Sequence, residues 1–336
     1  MDSIEEIHNN TKIPIIDIGG LSDENNIEEW KRISNQIDAA SIEYGFFYVK
    51  NHGIPMERLD QITGGCKDLF NMPLEEKMKI DISKSINHRG YGCVYSEQLD
   101  PDMKPDLKET FSMGINMTED DPLYYDGLNG PNQYPEYLGA KWSGMMESYF
   151  YEIMDVSLRI LRAISFKLGA PLDYFDTKYD KTVSSLRLIH YPPVLKRQAN
   201  IYDKDVSPGC GSHTDYGCIS LLYQDIAGLQ IESKSKWIDA PPIPGTFVVN
   251  IGDMLERWSN NRYKSTLHRV LSPINQDRYV FALFSEPASD VMIGCLPGCT
   301  SPSNPWKYSE ITTGDYLHSR FNDTYAYRRN EEDPKN

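Results

Sequence analysis

Positive charge and long apolar runs are scarce in this sequence of 336 residues. Lys and Arg number 34 against 49 Asp and Glu, so the net charge is −15 at neutral pH. Nucleic acid and anionic membranes are therefore not expected as partners, because an acidic protein is repelled by both. No apolar stretch reaches membrane-spanning length, and the MDSIEEIH start has no basic segment followed by an apolar core. These absences predict a cytoplasmic protein, and no obligate protein partner is evident.

Cysteines are few and irregularly placed, at Cys66, Cys93, Cys210, Cys218, Cys295 and Cys299. A disulfide framework is not expected in a chain of this length, so reduced thiols are the default. The last two form a lone CxxxC without a second pair, which favours a structural role over a metal site. The sequence also has no low-complexity linker, and we predict one folded unit.

Helical patterns come first along the chain, and strand patterns follow. Apolar spacing predicts helices over residues 27–44, around Leu59–Leu69 and from Met146 to a stop at Gly169. From Ser185 onwards, short strand-like segments alternate with Pro and Gly turns: SLRLIHY, CISLLYQ, GLQIE, KWIDA, TFVVNI, TLHRV and RYVFALF. The pattern indicates an α+β protein, mainly β, with a sandwich or jelly-roll core and bracing helices in the N-terminal half.

Three residues form a candidate metal site. His213 and Asp215 lie two apart in SHTDYG, where a strand would point both side chains the same way, and His268 follows in STLHRV. Two imidazoles and one carboxylate on one face of a metal, with the other face open, suit non-haem Fe(II). An HxD pair alone is weak evidence, because such residues are more often solvated or hydrogen-bonded.

Arg278 strengthens this interpretation. It begins the apolar run RYVFALF, and a buried guanidinium without a partner is costly. Its planar fork binds a carboxylate through two hydrogen bonds, so the arginine either pairs with an internal Asp or Glu or binds a carboxylate-bearing cosubstrate. The metal triad nearby favours the cosubstrate.

At this point the chain resembles the isopenicillin N synthase-like branch of the 2-oxoglutarate and Fe(II)-dependent dioxygenases. The motifs that carry the likeness run in order through almost the whole chain: KIPIIDI, GFFYVKNHGIP, FNMPLEEKMKI, HRGYG, DLKETFSMG, RLIHYPP, SHTDYG, GDMLERWSNNRYKSTLHRV and RYVFALFSEP. The resemblance implies a single catalytic unit over residues 1–336 with a double-stranded β-helix core. Within it we expect an N-terminal dioxygenase region at 10–120, the Fe(II)- and 2-oxoglutarate-binding core at 180–290 and a C-terminal extension at 291–336.

The same resemblance assigns roles. His213, Asp215 and His268 become the iron ligands, with no other catalytic residue implied. Arg278 and Tyr191 become partners of the distal 2-oxoglutarate carboxylate. The cofactors are then Fe(II), 2-oxoglutarate and O2, with ascorbate a candidate reductant. The implied reaction oxidises an unactivated C–H bond of a small metabolite by hydroxylation, desaturation or ring closure, with release of succinate and CO2. Secondary metabolism is one setting for such chemistry.

Val280 departs from the family pattern, which has Arg-x-Ser on this strand. The missing serine hydroxyl removes a hydrogen bond of about 1.5–3 kcal/mol to a charged group. A cosubstrate-free Fe(II) oxidase of the isopenicillin N synthase type therefore stays open, with Arg278 serving the substrate. A non-catalytic binding protein and a zinc hydrolase are weaker alternatives.

Substrate residues are predicted from charge, aromatic character and strand alternation. Arg187 shares a strand face with Tyr191 and would either pair with an internal acid or add positive charge near the site. The pairing is the favoured interpretation. The other candidates for the substrate wall are Arg89, Tyr91, Tyr216 and Phe284. They suit either an acidic or amino-acid-like metabolite or a small apolar natural product.

Overall fold

The structure, a computed structural model, describes residues 12–118, 120–195 and 207–324. Within these ranges the α-helices are α1 (Ile27–Glu43), α2 (Met56–Phe70), α3 (Leu74–Lys79), α4 (Gly139–Leu168), α5 (Asp253–Trp258) and α6 (Thr313–Thr324). The predicted helices correspond to α1, α2 and α4, and α4 ends at Gly169 in the left-handed conformation. In the described part of the chain, no helix combines the length and apolar character that crossing a membrane requires.

Fourteen strands fall within the described residues. They are β1 (Ile15–Asp17), β2 (Phe46–Lys50), β3 (Gly90–Gly92), β4 (Glu109–Gly114), β5 (Ser185–Tyr191), β6 (Cys210–His213), β7 (Ile219–Gln224), β8 (Leu229–Ser233), β9 (Lys236–Asp239), β10 (Thr246–Ile251), β11 (His268–Val270), β12 (Arg278–Ser285), β13 (Met292–Ile293) and β14 (Ile311–Thr312). The major sheet has the order β1-β2-β10-β7-β12-β5-β4-β3, and a minor sheet has the order β6-β11-β8-β9. The predicted jelly-roll class is confirmed.

The major sheet has two different faces. On β12, Tyr279, Phe281 and Leu283 belong to a core shared with α1, α2 and α4. Val280 belongs to a second core that includes residues of the minor sheet, such as Ile231. This alternation places Arg278 and Phe284, which lie on the Val280 side of the strand, towards the space between the two sheets.

Early and late parts of the chain share the major sheet. Strand β2 pairs with β10 along its length, from Thr246 opposite Lys50 to Asn250 opposite Phe46. Strand β4 pairs with β5 from Glu109 opposite His190 to Gly114 opposite Ser185. The strands of the expected N-terminal region are therefore hydrogen-bonded into the same sheet as the expected core.

Several elements have weak sequence signals. Strands β3 and β6, with sequences GYG and CGSH, consist largely of glycine and polar residues, which are poor strand formers. Helix α5 has six residues, too few for an apolar period to be recognised. Long-range pairing, rather than local propensity, fixes these strands.

A buried polar chain links α3 to the major sheet. Lys77 Nζ lies 2.7 Å from Glu109 Oε2, and the other oxygen of Glu109 lies 2.7 Å from His190 Nδ1. His190 Nε2 in turn lies 2.8 Å from Asp277 Oδ1, and its ring stacks on Tyr279. His190 is thus the packed, satisfied histidine that the alternation of its strand predicts. Burial alone would lower the pKa of His190, but the two carboxylates raise it above its usual value.

Replacing His190 with glutamine is expected to destabilise the protein by about 2 kcal/mol at pH 6, because hydrogen bonds to charged groups are lost. A histidine with a raised folded-state pKa stabilises the fold fully below its unfolded pKa and loses that contribution as pH rises through the folded pKa. The difference from wild type should therefore shrink by pH 9. Urea denaturation at both pH values measures it. Asp277→Asn should show a smaller change of the same sign, and an equal effect of His190→Gln at both pH values would contradict the assignment.

Candidate metal centre

The structure brings His213, Asp215 and His268 together at one end of the space between the sheets. One potential ligand atom from each lies within 4.8 Å of the others. Asp215 Oδ1 lies 3.6 Å from His213 Nε2 and 3.5 Å from His268 Nε2. Ligands at right angles and about 2.1 Å from one ion are about 3 Å apart, so these separations fit a shared cation.

Strand pairing explains how the two histidines meet. His213 ends β6, His268 begins β11, and the two residues are directly opposite each other in the minor sheet. Asp215 lies two residues beyond β6, so the expectation that both members of the HxD pair sit on one strand is wrong. The chain leaves the minor sheet after His213, and the Asp215 carboxylate lies beside both histidines.

Backbone carbonyls fix both imidazoles. Nδ1 of His213 lies 2.8 Å from the Gly211 carbonyl, and Nδ1 of His268 lies 3.0 Å from that of Thr266. In the neutral form each Nδ1–H donates to its carbonyl, which leaves the Nε2 lone pair directed at Asp215 Oδ1. This is the tautomer that a metal bound through Nε2 requires.

The Asp215 carboxylate is held by its other oxygen. Oδ2 accepts hydrogen bonds from Ser220 Oγ at 2.5 Å and from Asn250 Nδ2 at 2.7 Å. Burial alone would raise the pKa of Asp215, but His268 and His213 hold it well below the usual value. The carboxylate is therefore ionised, and Oδ1 stays available to a cation.

The start of α5 positions the loop that carries Asp215. Backbone N–H groups of Asp253 and Met254 donate to the carbonyls of Asp215 and Tyr216 at 2.8 and 3.2 Å. Gly252 permits this approach, because an added Cβ would lie 2.2 Å from the Gly217 carbonyl oxygen. Glycine at position 252 is thus needed for space rather than for backbone conformation.

Gly252→Ala is expected to weaken Fe(II) binding by about 10–100-fold, the range for changes to groups that orient metal ligands. The new methyl group must displace the loop over residues 215–217. Anaerobic Fe(II) titration measures the effect. Gly144→Ala is the matched control, because an added Cβ there meets nothing within 4 Å and the residue lies inside α4. Equal affinities for Gly252→Ala and wild type would show that the loop tolerates the methyl group.

Two cavities meet at the triad. The first, here called the outer cavity, is lined among others by Arg89, Tyr216, Phe284, Glu286 and Phe321. The second, the inner cavity, lies between the sheets and is lined among others by Lys108, Tyr191, Leu229, Asn250 and Val270. Arg187, Phe284, His213 and Asp215 line both. A cation at the triad would therefore be reached from two sides.

Arg278 lies fully buried beside the inner cavity. Its guanidinium is 4.8 Å from the centroid of the Tyr191 ring, which lines that cavity. Nε donates to the Ile226 carbonyl at 3.1 Å and Nη2 donates to Gln224 Oε1 at 2.8 Å. Nη1 has no hydrogen-bond partner among the described residues, and no carboxylate there forms an ion pair with the arginine. A buried cation with an unused donor fits an anionic ligand.

Lys108 is a site residue that sequence reasoning missed. It is buried, lines the inner cavity and lies 2.8 Å from Asp106 Oδ2, 3.2 Å from Glu97 Oε2 and 3.2 Å from Cys210 Sγ. Burial would lower the pKa of Lys108, but Asp106 and the other acidic neighbours raise it well above the usual value. The ammonium group is therefore charged inside the cavity wall.

Arg187 pairs with an internal acid, as favoured from its strand position. Its guanidinium forms an ion pair with Glu97 and donates to Thr110 Oγ1 at 3.1 Å. Burial would raise the pKa of Glu97, but Arg187 and Lys108 lower it to about 2. Glu97 thus joins the two cations into one buried network between the cavities.

The other predicted wall residues divide into two groups. Arg89, Tyr216 and Phe284 line the outer cavity, and the Arg89 guanidinium donates to the Leu128 carbonyl at 3.3 Å. Tyr91 lines neither cavity, so the prediction for it is wrong. Its ring packs in the core on the helix side of the sheet, and its hydroxyl donates to Glu109 at 2.5 Å. The Tyr91 hydroxyl therefore binds the buried Glu109 carboxylate and not a substrate.

Glu286 was also missed by sequence reasoning. It follows the last residue of β12, is 7 % exposed and lines the outer cavity. Within the described ranges, no group donates a hydrogen bond to its carboxyl. Burial raises the pKa of Glu286 to about 8; Arg89 opposes this shift and Asp215 adds to it. A glutamate at the end of a strand is typical of the protein surface, so no local pattern marks this residue.

Two family models match this chain, one in its N-terminal part and one in its C-terminal part. Residues 13–137 match the family described as non-haem dioxygenase in morphine synthesis N-terminal, and residues 182–287 match the 2OG-Fe(II) oxygenase superfamily. The chain is 34 % identical to a 2-oxoglutarate-Fe(II) type oxidoreductase of Emericella nidulans over 85 % of this chain and 83 % of that protein. It is 36 % identical to a homoarginine-6-hydroxylase of Oryza sativa subsp. japonica, over 91 % of this chain and 95 % of that protein.

The chain is also similar in structure to solved proteins that bind 2-oxoglutarate. The crystal structure of a full-length Neurospora crassa protein in complex with alpha-KG and thymine superimposes with a TM-score of 0.81 at 31 % identity, over 93 % of this chain and 96 % of that one. A structure of JOX2 in complex with 2OG, Fe and JA superimposes with a TM-score of 0.73 at 28 % identity, over 92 % and 85 %.

Proposed function

Because the chain belongs to the 2OG-Fe(II) oxygenase superfamily and is a 2-oxoglutarate- and Fe(II)-dependent dioxygenase, we propose that His213, Asp215 and His268 bind its iron. The observation that carries the proposal is the convergence of the three ligand atoms within 4.8 Å, with cavities on two sides. When bound, Fe(II) and 2-oxoglutarate supply the oxidation of a C–H bond by O2, with release of succinate and CO2.

The inner cavity is the proposed cosubstrate site. Arg278 and Tyr191 bind the distal carboxylate, and the unused Nη1 of the arginine supports this assignment. Lys108 adds positive charge to the same cavity, although its acidic partners neutralise most of it. Val280 contributes no hydrogen bond, so the donors of Arg278 and Tyr191 carry the recognition.

The outer cavity is the proposed substrate site. Arg89, Tyr216, Phe284 and Arg187 form its wall and hold the reacting C–H bond beside the triad. The aromatic rings exclude water from this space, while the Glu97 ion pair keeps Arg187 in place. One relative is named as a homoarginine hydroxylase and another was solved with thymine, so a small nitrogen-containing metabolite is a suitable first substrate class to screen.

We place the protein in the cytoplasm, acting on a small molecule without a nucleic-acid or membrane partner. The net charge of −15 supports the absence of those two partners, because polyanions are repelled.

The test is an anaerobic titration of metal-free protein with Fe(II) and then with 2-oxoglutarate, following the visible metal-to-ligand charge-transfer band. A band that saturates with cosubstrate is the expected result. Iron binding without a band would instead support an oxidase that uses no cosubstrate, and would assign Arg278 to the substrate. Succinate release then serves as the readout for the substrate screen.

A further inference from the structure

We propose that Glu286 is a substrate-recognition residue that accepts an N–H group, and that the substrate is a small molecule with a nitrogen-bound hydrogen, either an amide-like ring or a protonated amine. This inference rests on the proposed function of the outer cavity as the substrate site.

The first support is the position of Glu286. Its backbone is pinned by the neighbouring segment, since Ser184 Oγ donates to its carbonyl at 3.0 Å and its own N–H donates to that hydroxyl at 2.8 Å. Its stem lies against Gly217, where an added Cβ would be 2.8 Å from Glu286 Cγ. The side chain is therefore held between a fixed strand end and the loop that carries Asp215.

The second support is the lack of a partner. Two other carboxylates on the cavity wall are engaged: Asp215 accepts from Ser220 and Asn250, and Glu97 pairs with Arg187 and Lys108. Glu286 is more than nine-tenths buried, yet no hydrogen bond to its carboxyl comes from the described part of the chain. The carboxyl lines the outer cavity, so its hydrogen bonds must come from water or from a ligand, and a ligand that supplies a donor can replace that water.

The third support is chemical complementarity. A carboxylate accepts hydrogen bonds only, whereas a protonated carboxyl both donates and accepts. Either form pairs with a nitrogen-bound hydrogen, the ionised form best with a cation and the neutral form best with adjacent N–H and C=O groups. An anionic or wholly apolar substrate would leave the Glu286 carboxyl unsatisfied.

The experiment compares paired probes by anaerobic calorimetry on the protein holding Fe(II) and 2-oxoglutarate. One pair is 2-piperidone and its N-methyl derivative; the other is butylammonium and butyltrimethylammonium. Wild type is expected to prefer the N–H member of one pair by about tenfold, the ratio that one net hydrogen bond gives. Glu286→Met should abolish this preference, and its charge-transfer band with 2-oxoglutarate should match that of wild type.

Glu286→Gln distinguishes the two forms of the carboxyl. It should keep the preference for 2-piperidone, because an amide also donates and accepts, and lose that for butylammonium, because the charge is gone. Equal binding of both members of each pair by wild type, no binding of any probe, or a preference that persists in Glu286→Met would overturn the inference. Failure of wild type to give the charge-transfer band would instead contradict the proposed function.

Discussion

Asp215→Asn is expected to weaken Fe(II) binding by more than about 100-fold, beyond the range for groups that only orient ligands, and to abolish succinate formation. The substitution preserves shape, yet the hydrogen bonds determine how the new amide lies. Ser220 and Asn250 both donate to the position of Oδ2, so the oxygen of the new amide must lie there. Its NH2 group then faces the two histidines, where a cation needs a lone pair.

Two variants make this prediction specific. Asn250→Ala keeps the carboxylate but removes one of its donors, so a smaller loss of about 10–100-fold is expected. His190→Gln removes a histidine outside the metal centre and should leave iron affinity unchanged. The measurement is anaerobic Fe(II) titration of each purified protein. If Asp215→Asn bound iron as tightly as wild type, the ligand assignment would have to be abandoned.

Arg278→Ala is expected to raise the 2-oxoglutarate dissociation constant by about 100-fold or more, because two charge-assisted hydrogen bonds to one carboxylate are lost. Arg278→Lys keeps the charge but loses the planar fork, so an intermediate loss is expected. The charge-transfer titration measures both variants. Iron affinity in the absence of cosubstrate should not change, since no atom of Arg278 contacts the triad in the described structure.

Val280→Ser tests the same carboxylate site by adding a hydrogen-bond donor instead of removing one. Val280 is fully buried on the same strand face as Arg278, so a serine there would add an unsatisfied hydroxyl, lowering stability without cosubstrate by about 1–3 kcal/mol. A carboxylate bound by Arg278 would satisfy that hydroxyl. We therefore expect Val280→Ser to show a lower Tm alone and a larger increase of Tm on adding 2-oxoglutarate than wild type. A smaller increase would place the carboxylate away from β12.

The candidate metal centre could be predicted from sequence because only a few residue types serve as ligands for non-haem iron. His213, Asp215 and His268 have no shared structural reason to occur with a buried arginine, and the strand patterns of β5, β7, β10 and β12 are strong. The burial of Arg278 followed from the apolar run around it. The strand patterns and the burial of Arg278 depend on local sequence, whereas the roles of the three iron-ligand candidates came from the family resemblance.

The other residues of the two cavities could not be predicted, because their positions depend on tertiary contacts that leave no pattern in the local sequence. Lys108 and Glu97 look like surface charges in the sequence, but both are buried, and Glu97 pairs with Lys108 and with Arg187 of β5. Glu286 has the sequence context of an exposed turn. Tyr91 was misassigned for the same reason, because the acid that binds its hydroxyl is brought to it by the pairing of β3 with β4.

The strand order of the major sheet has a consequence for how the protein is made. Strand β12 lies between β7 and β5, and β2 pairs with β10, so the sheet cannot be completed until residue 285 has left the ribosome. Until then the nascent chain holds β2, β4 and β5 with exposed edges and apolar faces. Such late, non-local closure slows folding and favours aggregation of incomplete chains. Production at low temperature or with added chaperones should therefore raise the yield of folded enzyme.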